Sequence, residues 1–191
     1  MEKLSSEQSE TSDRVLEFDL SAELRHGIAV SNLAYALSQE LGLPHEQCYD
    51  LAIAGMLHDI GKLKLRSYIN GQESNPMVIE ELKYVRMHSS LGYEELKDQG
   101  YSDFVLESIL YHHENYDGSG YPSNLSGKDI PIGARILRVC DVFCALSQDR
   151  SYRKAFDKRT VIEVMIDEIK NFDLEVFLAF QRVVHASQAG K

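Results

Sequence analysis

The chain has 191 residues, 43% of them hydrophobic, which is enough for one compact domain. Its 30 acidic residues against 20 basic ones give a formal charge of −10, which opposes a broad electrostatic grip on a nucleic-acid duplex. No apolar run approaches the roughly 18 residues of a membrane span and the start lacks a signal peptide's apolar stretch, so a soluble cytoplasmic protein is expected, with Cys48, Cys140 and Cys144 as reduced thiols.

Residues 1–18 are Ser/Glu-rich and short of apolar side chains, and read as a polar N-terminal arm. Residues 19–191 read as one all-α domain. Leu20 to Leu41 is predicted as a helix, with Leu24, Ile28, Leu33, Ala34, Leu37 and Leu41 on an apolar face and His26 close to that stripe. Gly42 ends it and Pro44 opens the next segment. Glu46 to Leu57 is a second, largely apolar helix running into Leu57-His58-Asp59-Ile60-Gly61-Lys62, where Gly61 can relax the backbone. Asn70-Gly71 signals a turn. Met77 to His88 is predicted as a helix, opened by Pro76 and ending at His88. Ser102-Asp103 suits the start of the helix that delivers His112 and His113. The run from Glu114 to Gly127 is a long shaped loop, and Tyr116 and Tyr121 argue for its order. Pro131 opens a long helix with Asp141 in its apolar middle, and Val161–Ile169 and Leu174–Val184 read as closing helices.

Seven residues are placed awkwardly for a simple core: His26, His58, Asp59, His88, His112, His113 and Asp141. Taken singly, each histidine is better read as a core or surface residue and the His58-Asp59 pair as a helix cap. Taken together, they are different. A buried carboxylate needs a counter-charge, and imidazole plus carboxylate is a donor set for transition metals. Seven ligands are too many for one tetrahedral ion, so two ions are the economical solution, with Asp59 between them. Two such ions suit phosphoester hydrolysis. Lys62, Arg135, Arg138, Arg150, Arg153 and Lys154 are the cations near this set, and Arg150 and Arg153 could bind phosphate oxygens.

Several blocks occur in order: His26, His58-Asp59-Ile60-Gly61-Lys62, His88-Ser-Ser-Leu-Gly92, His112-His113-Glu114-Asn-Tyr-Asp117-Gly118-Ser-Gly120-Tyr121-Pro122, Leu125-Ser-Gly127, Ile130-Pro131, Ala134-Arg135-Ile136, Asp141 and Arg150-Ser-Tyr152-Arg153. Together they resemble the HD-GYP subgroup of the HD metal-dependent phosphohydrolases. The resemblance implies a compact all-helical HD-type bundle with a functional Gly-Tyr-Pro loop. It implies a phosphodiesterase that opens the bacterial second messenger cyclic di-GMP to linear pGpG, and in some members on to GMP, through a hydroxide between two metals. His26, His58, Asp59 and Asp141 would hold one ion, and Asp59, His88, His112 and His113 the other. Lys62, Arg150 and Arg153 would meet substrate phosphates and Tyr121 would shape the mouth. Fe or Mn are the expected ions, with Zn, Ni or Co in purified material. The loop would also offer a surface to partner proteins, including diguanylate cyclases.

Three positions depart from the family pattern. Cys144 stands where many relatives carry a carboxylate, Ala22 where some carry a Glu for a third metal, and Leu174 where a Phe-Asp-Pro segment has its proline. Two alternatives stay open: a catalytically weak cyclic-dinucleotide-binding or protein-interaction module, to which Cys144 gives weight, and an HD enzyme acting on another cyclic dinucleotide such as cyclic GMP-AMP, because the motif block does not separate guanine from adenine in one half of the substrate.

Overall fold

A computed structural model describes residues 20–64, 86–149 and 153–189. The polar arm at 1–18, the Asn70-Gly71 turn, most of the helix expected from Met77 and Arg150 all lie outside the described residues. Seven α-helices are described: α1 (Leu20–Glu40), α2 (His45–Leu57), α3 (His88–Leu96), α4 (Asp103–Leu110), α5 (Ile132–Leu146), α6 (Lys158–Asp167) and α7 (Leu174–Ala189). There is no strand among the described residues, so the all-α expectation holds.

The helix starts follow local chemistry. Ser102 caps α4 by accepting from the Val105 N–H, and Asp157 caps α6 by accepting from Arg159 and Thr160. Asp173 accepts from the N–H groups of Glu175 and Val176 at the start of α7. The core runs through the middle of the bundle. Val30, Ala34 and Leu37 of α1 meet Leu51 and Ala54 of α2, Val105 and Ile109 of α4, Ile136, Leu137 and Cys140 of α5, and Phe177 and Phe180 of α7. A Cβ on Gly55 would stand 2.9 Å from the Ser31 backbone, so α1 and α2 touch almost main chain to main chain. That approach brings the His26 and His58 rings to 5.3 Å between centroids.

One expected boundary is reversed. His88 opens α3 instead of ending a helix, because His88, Gly92 and Leu96, four residues apart, form its buried face. Gly92 is buried inside that helix against Gly61, Ile60 and Ile109.

Candidate metal centre

The seven candidate ligands arrive from five helices or helix ends. His26 lies near the start of α1, and His58 is the residue that closes α2, with Asp59 in the turn after it. His88 opens α3, His112 and His113 fill the turn after α4, and Asp141 sits inside α5. The seven side chains converge. His88, His112 and His113 offer ligand atoms within 4.8 Å of one another, and so do His26, His58 and Asp59. Asp59 lies between the groups: Oδ1 is 3.3 Å from His88 Nε2, and Oδ2 is 3.2 Å from His58 Nε2 and 3.9 Å from His26 Nε2. Asp141 Oδ1 adds 3.0 Å to His26 Nε2 and 3.7 Å to His58 Nε2.

The hydrogen bonds behind the rings decide which nitrogens face inward. His58 Nδ1–H donates to the Gly55 carbonyl at 2.9 Å, and His112 Nδ1–H donates to the Ile109 carbonyl at 2.6 Å. Both acceptors lie three residues back, at the carbonyl end of the preceding helix. His26 Nδ1 faces Gln148 Oε1 at 3.3 Å. With Nδ1 holding the proton, each Nε2 presents a lone pair to the centre. His58 Nε2 is buried with no hydrogen-bond partner, and the Nε2 atoms of His112 and His113 stand 3.3 and 3.0 Å from that of His88. Lone pairs gathered at such distances, with their rings fixed from behind, fit divalent cations. Two groups of donors joined by one carboxylate fit two of them.

The charges divide the centre. Burial opposes a charge on His58, yet the Asp59 and Asp141 carboxylates raise it to about 10. The same field that holds a proton at that nitrogen holds a metal cation. Asp59 and Asp141 lie well below the usual carboxylate range: burial works against this, and His58 with Lys62 for Asp59, and His26 with His58 for Asp141, prevails. On the other side, burial drives His113 down to about 3 and holds His112 well below the usual imidazole range, with neighbouring imidazoles adding to both shifts. That half is a set of neutral nitrogen donors.

Lys62 does not project freely. Its Nζ donates to Asp59 Oδ2 at 2.5 Å and to Glu23 Oε2 at 3.5 Å. Burial opposes its charge, but Asp59 and then Glu23 raise its pKa. Tyr121 stacks on the His113 ring at 4.7 Å and 24°, so the Gly-Tyr-Pro loop forms a wall of the centre. The loop is pinned by Tyr121 N–H to the His113 carbonyl, Ser123 N–H to Glu114 Oε1, and Tyr116 N–H to the Asn171 carbonyl. The Arg153 guanidinium donates to the carbonyls of Ala145, Leu146 and Lys154 and lies over the Phe156 ring at 4.5 Å, closing the end of α5.

Two contacts escaped the sequence reading. Gln148 orients His26; it lies two residues past the end of α5, where helical spacing gives no signal of its direction. Glu23 reaches the centre through Lys62, which only the packing of α1 beside the turn after α2 reveals. Gly61 is not a point of relaxation. A Cβ there would collide with the His88 carbonyl oxygen and stand 2.7 Å from the Gly92 nitrogen, so this position is a backbone contact that seats α3.

A profile of the HD domain matches residues 5–176. The chain belongs to the HD domain family. Its HD domain is 36% identical over 160 residues to a cyclic di-GMP phosphodiesterase of Pseudomonas aeruginosa, covering 83% of this chain and 38% of that protein. It is 35% identical over 157 residues to a 3'3'-cGAMP-specific phosphodiesterase of Vibrio cholerae, covering 80% and 36%. The chain thus spans well under half the length of these relatives. Among solved structures it resembles an HDGYP-type protein of Bdellovibrio bacteriovorus, with a TM-score of 0.67 and 22% identity over 89% of this chain and 55% of that one. That likeness bears on the fold. No helix among the described residues is long and apolar enough to cross a membrane.

Proposed function

We propose that this chain is a metal-dependent phosphodiesterase of cyclic dinucleotides, with cyclic di-GMP opened to linear pGpG, and on to GMP, as the first reading. The observation that carries it is the pair of three-residue donor groups, one containing Asp59 and the other meeting its Oδ1 at 3.3 Å through His88. His26, His58, Asp59 and Asp141 hold one ion; Asp59, His88, His112 and His113 hold the other. When bound, two divalent ions supply Lewis acidity at a phosphoryl centre. The histidine-rich donor set favours Fe or Mn, with Zn, Ni or Co as substitutes. Residues 19–191 form the catalytic unit.

The protein's own groups do the positioning. Gly55, Ile109 and Gln148 fix the rings of His58, His112 and His26 so that Nε2 faces inward. Lys62 keeps Asp59 ionised and aimed, and its ammonium lies where a phosphate oxygen approaching Asp59 meets a donor. Tyr121 gives a flat wall for a base or sugar. Arg150 and Arg153 are the phosphate contacts that the family pattern supplies; for Arg153 this means exchanging a carbonyl partner for the substrate. The Gly-Tyr-Pro loop is the surface for a protein partner such as a diguanylate cyclase, and reduced buried thiols fit a cytoplasmic enzyme.

A second reading, cyclic GMP-AMP as substrate, is favoured by the 35% identity to a relative named for that dinucleotide. A third, a weakly catalytic binding module, draws on Cys144 where relatives place a carboxylate. One experiment separates them: turnover of both dinucleotides by chromatography after reconstitution with Mn(II) or anaerobic Fe(II), with metal per chain from the same sample. Cyclic di-GMP turnover with about two ions per chain is the expected result. Preference for cyclic GMP-AMP supports the second reading. Metal and saturable binding without turnover supports the third. Neither metal nor binding overturns the proposal.

A further inference from the structure

The cations around the centre differ in what they are free to do. Lys62 is paired with Asp59 and Glu23. Arg135 is spent on Asp173 and the Ile130 carbonyl, and Arg153 on three carbonyls. Arg138 differs. Its Nε donates to Asn115 Oδ1 at 3.0 Å, and its two terminal nitrogens have no hydrogen-bond partner among the described residues. It is half-buried on α5, three residues before Asp141 and so on the same face of the helix. Its partner Asn115 comes two residues after His113, at the start of the loop that carries Tyr121. Its charge is felt at both His113 and Tyr121. Arg86 lies over the same Tyr121 ring at 5.5 Å.

A guanidinium stays charged at any working pH, and donors not committed to the protein are available to an anion. Its fork of N–H donors matches the oxygens of a phosphate. Resting on the phosphodiesterase reading above, we propose that Arg138 is a substrate-binding residue that takes a phosphate oxygen of the cyclic dinucleotide beside the His88, His112 and His113 group. Asn115 holds the guanidinium by Nε and leaves the terminal nitrogens for the anion.

The test is steady-state hydrolysis of cyclic di-GMP and cyclic GMP-AMP by the reconstituted wild type, Arg138→Gln, Arg138→Lys and Asn115→Ala, with metal per chain for each. Arg138→Gln should lower kcat/KM by about 10- to 100-fold, the scale of a lost charge-assisted hydrogen bond, chiefly through KM and with unchanged metal content. Arg138→Lys should recover part of that loss. Asn115→Ala, which frees the guanidinium but keeps its charge, should cost clearly less than Arg138→Gln, about two- to tenfold in kcat/KM. An Arg138→Gln enzyme within twofold of wild type in KM and kcat overturns the proposal. So does an Asn115→Ala loss as large as that of Arg138→Gln, because the arginine is then only a loop tether. A wild type that holds metal but neither binds nor cuts either dinucleotide removes the underlying function, and this proposal with it.

Discussion

Substituting Gly61 by alanine is the sharpest test of how the backbone sets the centre. The added Cβ meets main chain, not a side chain that can swing away: the His88 carbonyl oxygen first, then the Gly92 nitrogen at 2.7 Å. Real Cβ atoms essentially never come closer than 3.0 Å to such atoms, so the first turn of α3 has to retreat by about 1 Å. His88 opens that turn, and its Nε2 stands 3.3 Å from Asp59 Oδ1 and 3.0 Å from His113 Nε2. A retreat of that size pulls one nitrogen out of its donor group. Overpacking of this kind costs about 1–3 kcal/mol, or about 3–10 °C in Tm for a domain of this size. A 1 Å misplacement is worth about 100-fold in rate. The assay is metal per chain after reconstitution, with turnover and thermal unfolding on the same sample and a far-ultraviolet spectrum to show that the helices remain. Gly61→Ala should keep its helices, drop from about two ions toward one and lose about two orders of magnitude in activity. Full metal content with turnover within threefold of wild type would refute the reasoning that this contact seats His88.

Three further outcomes are expected. Asp59→Asn keeps the shape of the shared ligand but removes its charge; metal content and turnover should fall together, and normal metal binding would break the assignment of Asp59 as the bridge. Asp173→Ala removes both the buried partner of Arg135 and the cap of α7, and should cost about 3 kcal/mol on denaturant unfolding; a cost below about 1 kcal/mol would show that the pair is slack. Burial, with the Asp141 charge adding, pushes the Cys144 thiol up to about 12, and Cys140 is raised as well. At pH 8 thiolate is thus a trace species at both positions, and Cys48 is buried as well. A disulfide reagent should label none of the three in the native protein and all of them after unfolding. Fast native labelling at Cys144 would mean that the end of α5 is open.

Much of this arrangement was legible because its physics is local. The apolar spacing of α1 and α5, the Ser102 cap and the oddity of Asp141 in an apolar helix all lie within a few residues of sequence. The seven donors could be collected because charged and imidazole groups on apolar helices need a reason. What escaped depended on contacts between distant segments. The helix that starts at His88 is hard to see because the apolar positions before His88 stand out more in the sequence than the sparse ones after it. Gly61 looked permissive because nothing in its own neighbourhood shows the carbonyl that presses on it. Arg153 and Arg138 are both arginines near the set, and only the carbonyls around the first and the single tie on the second distinguish them.

The rings of His58 and His112 are held by carbonyls in the last turns of α2 and α4. Two helices therefore point their negative ends at one small volume, which also holds Asp59 and Asp141. Such a place draws cations, and a proton on His58 and the Lys62 ammonium answer it when no metal is bound. The consequence is a competition: a metal that enters must displace the His58 proton, so its uptake releases acid and weakens as the pH falls.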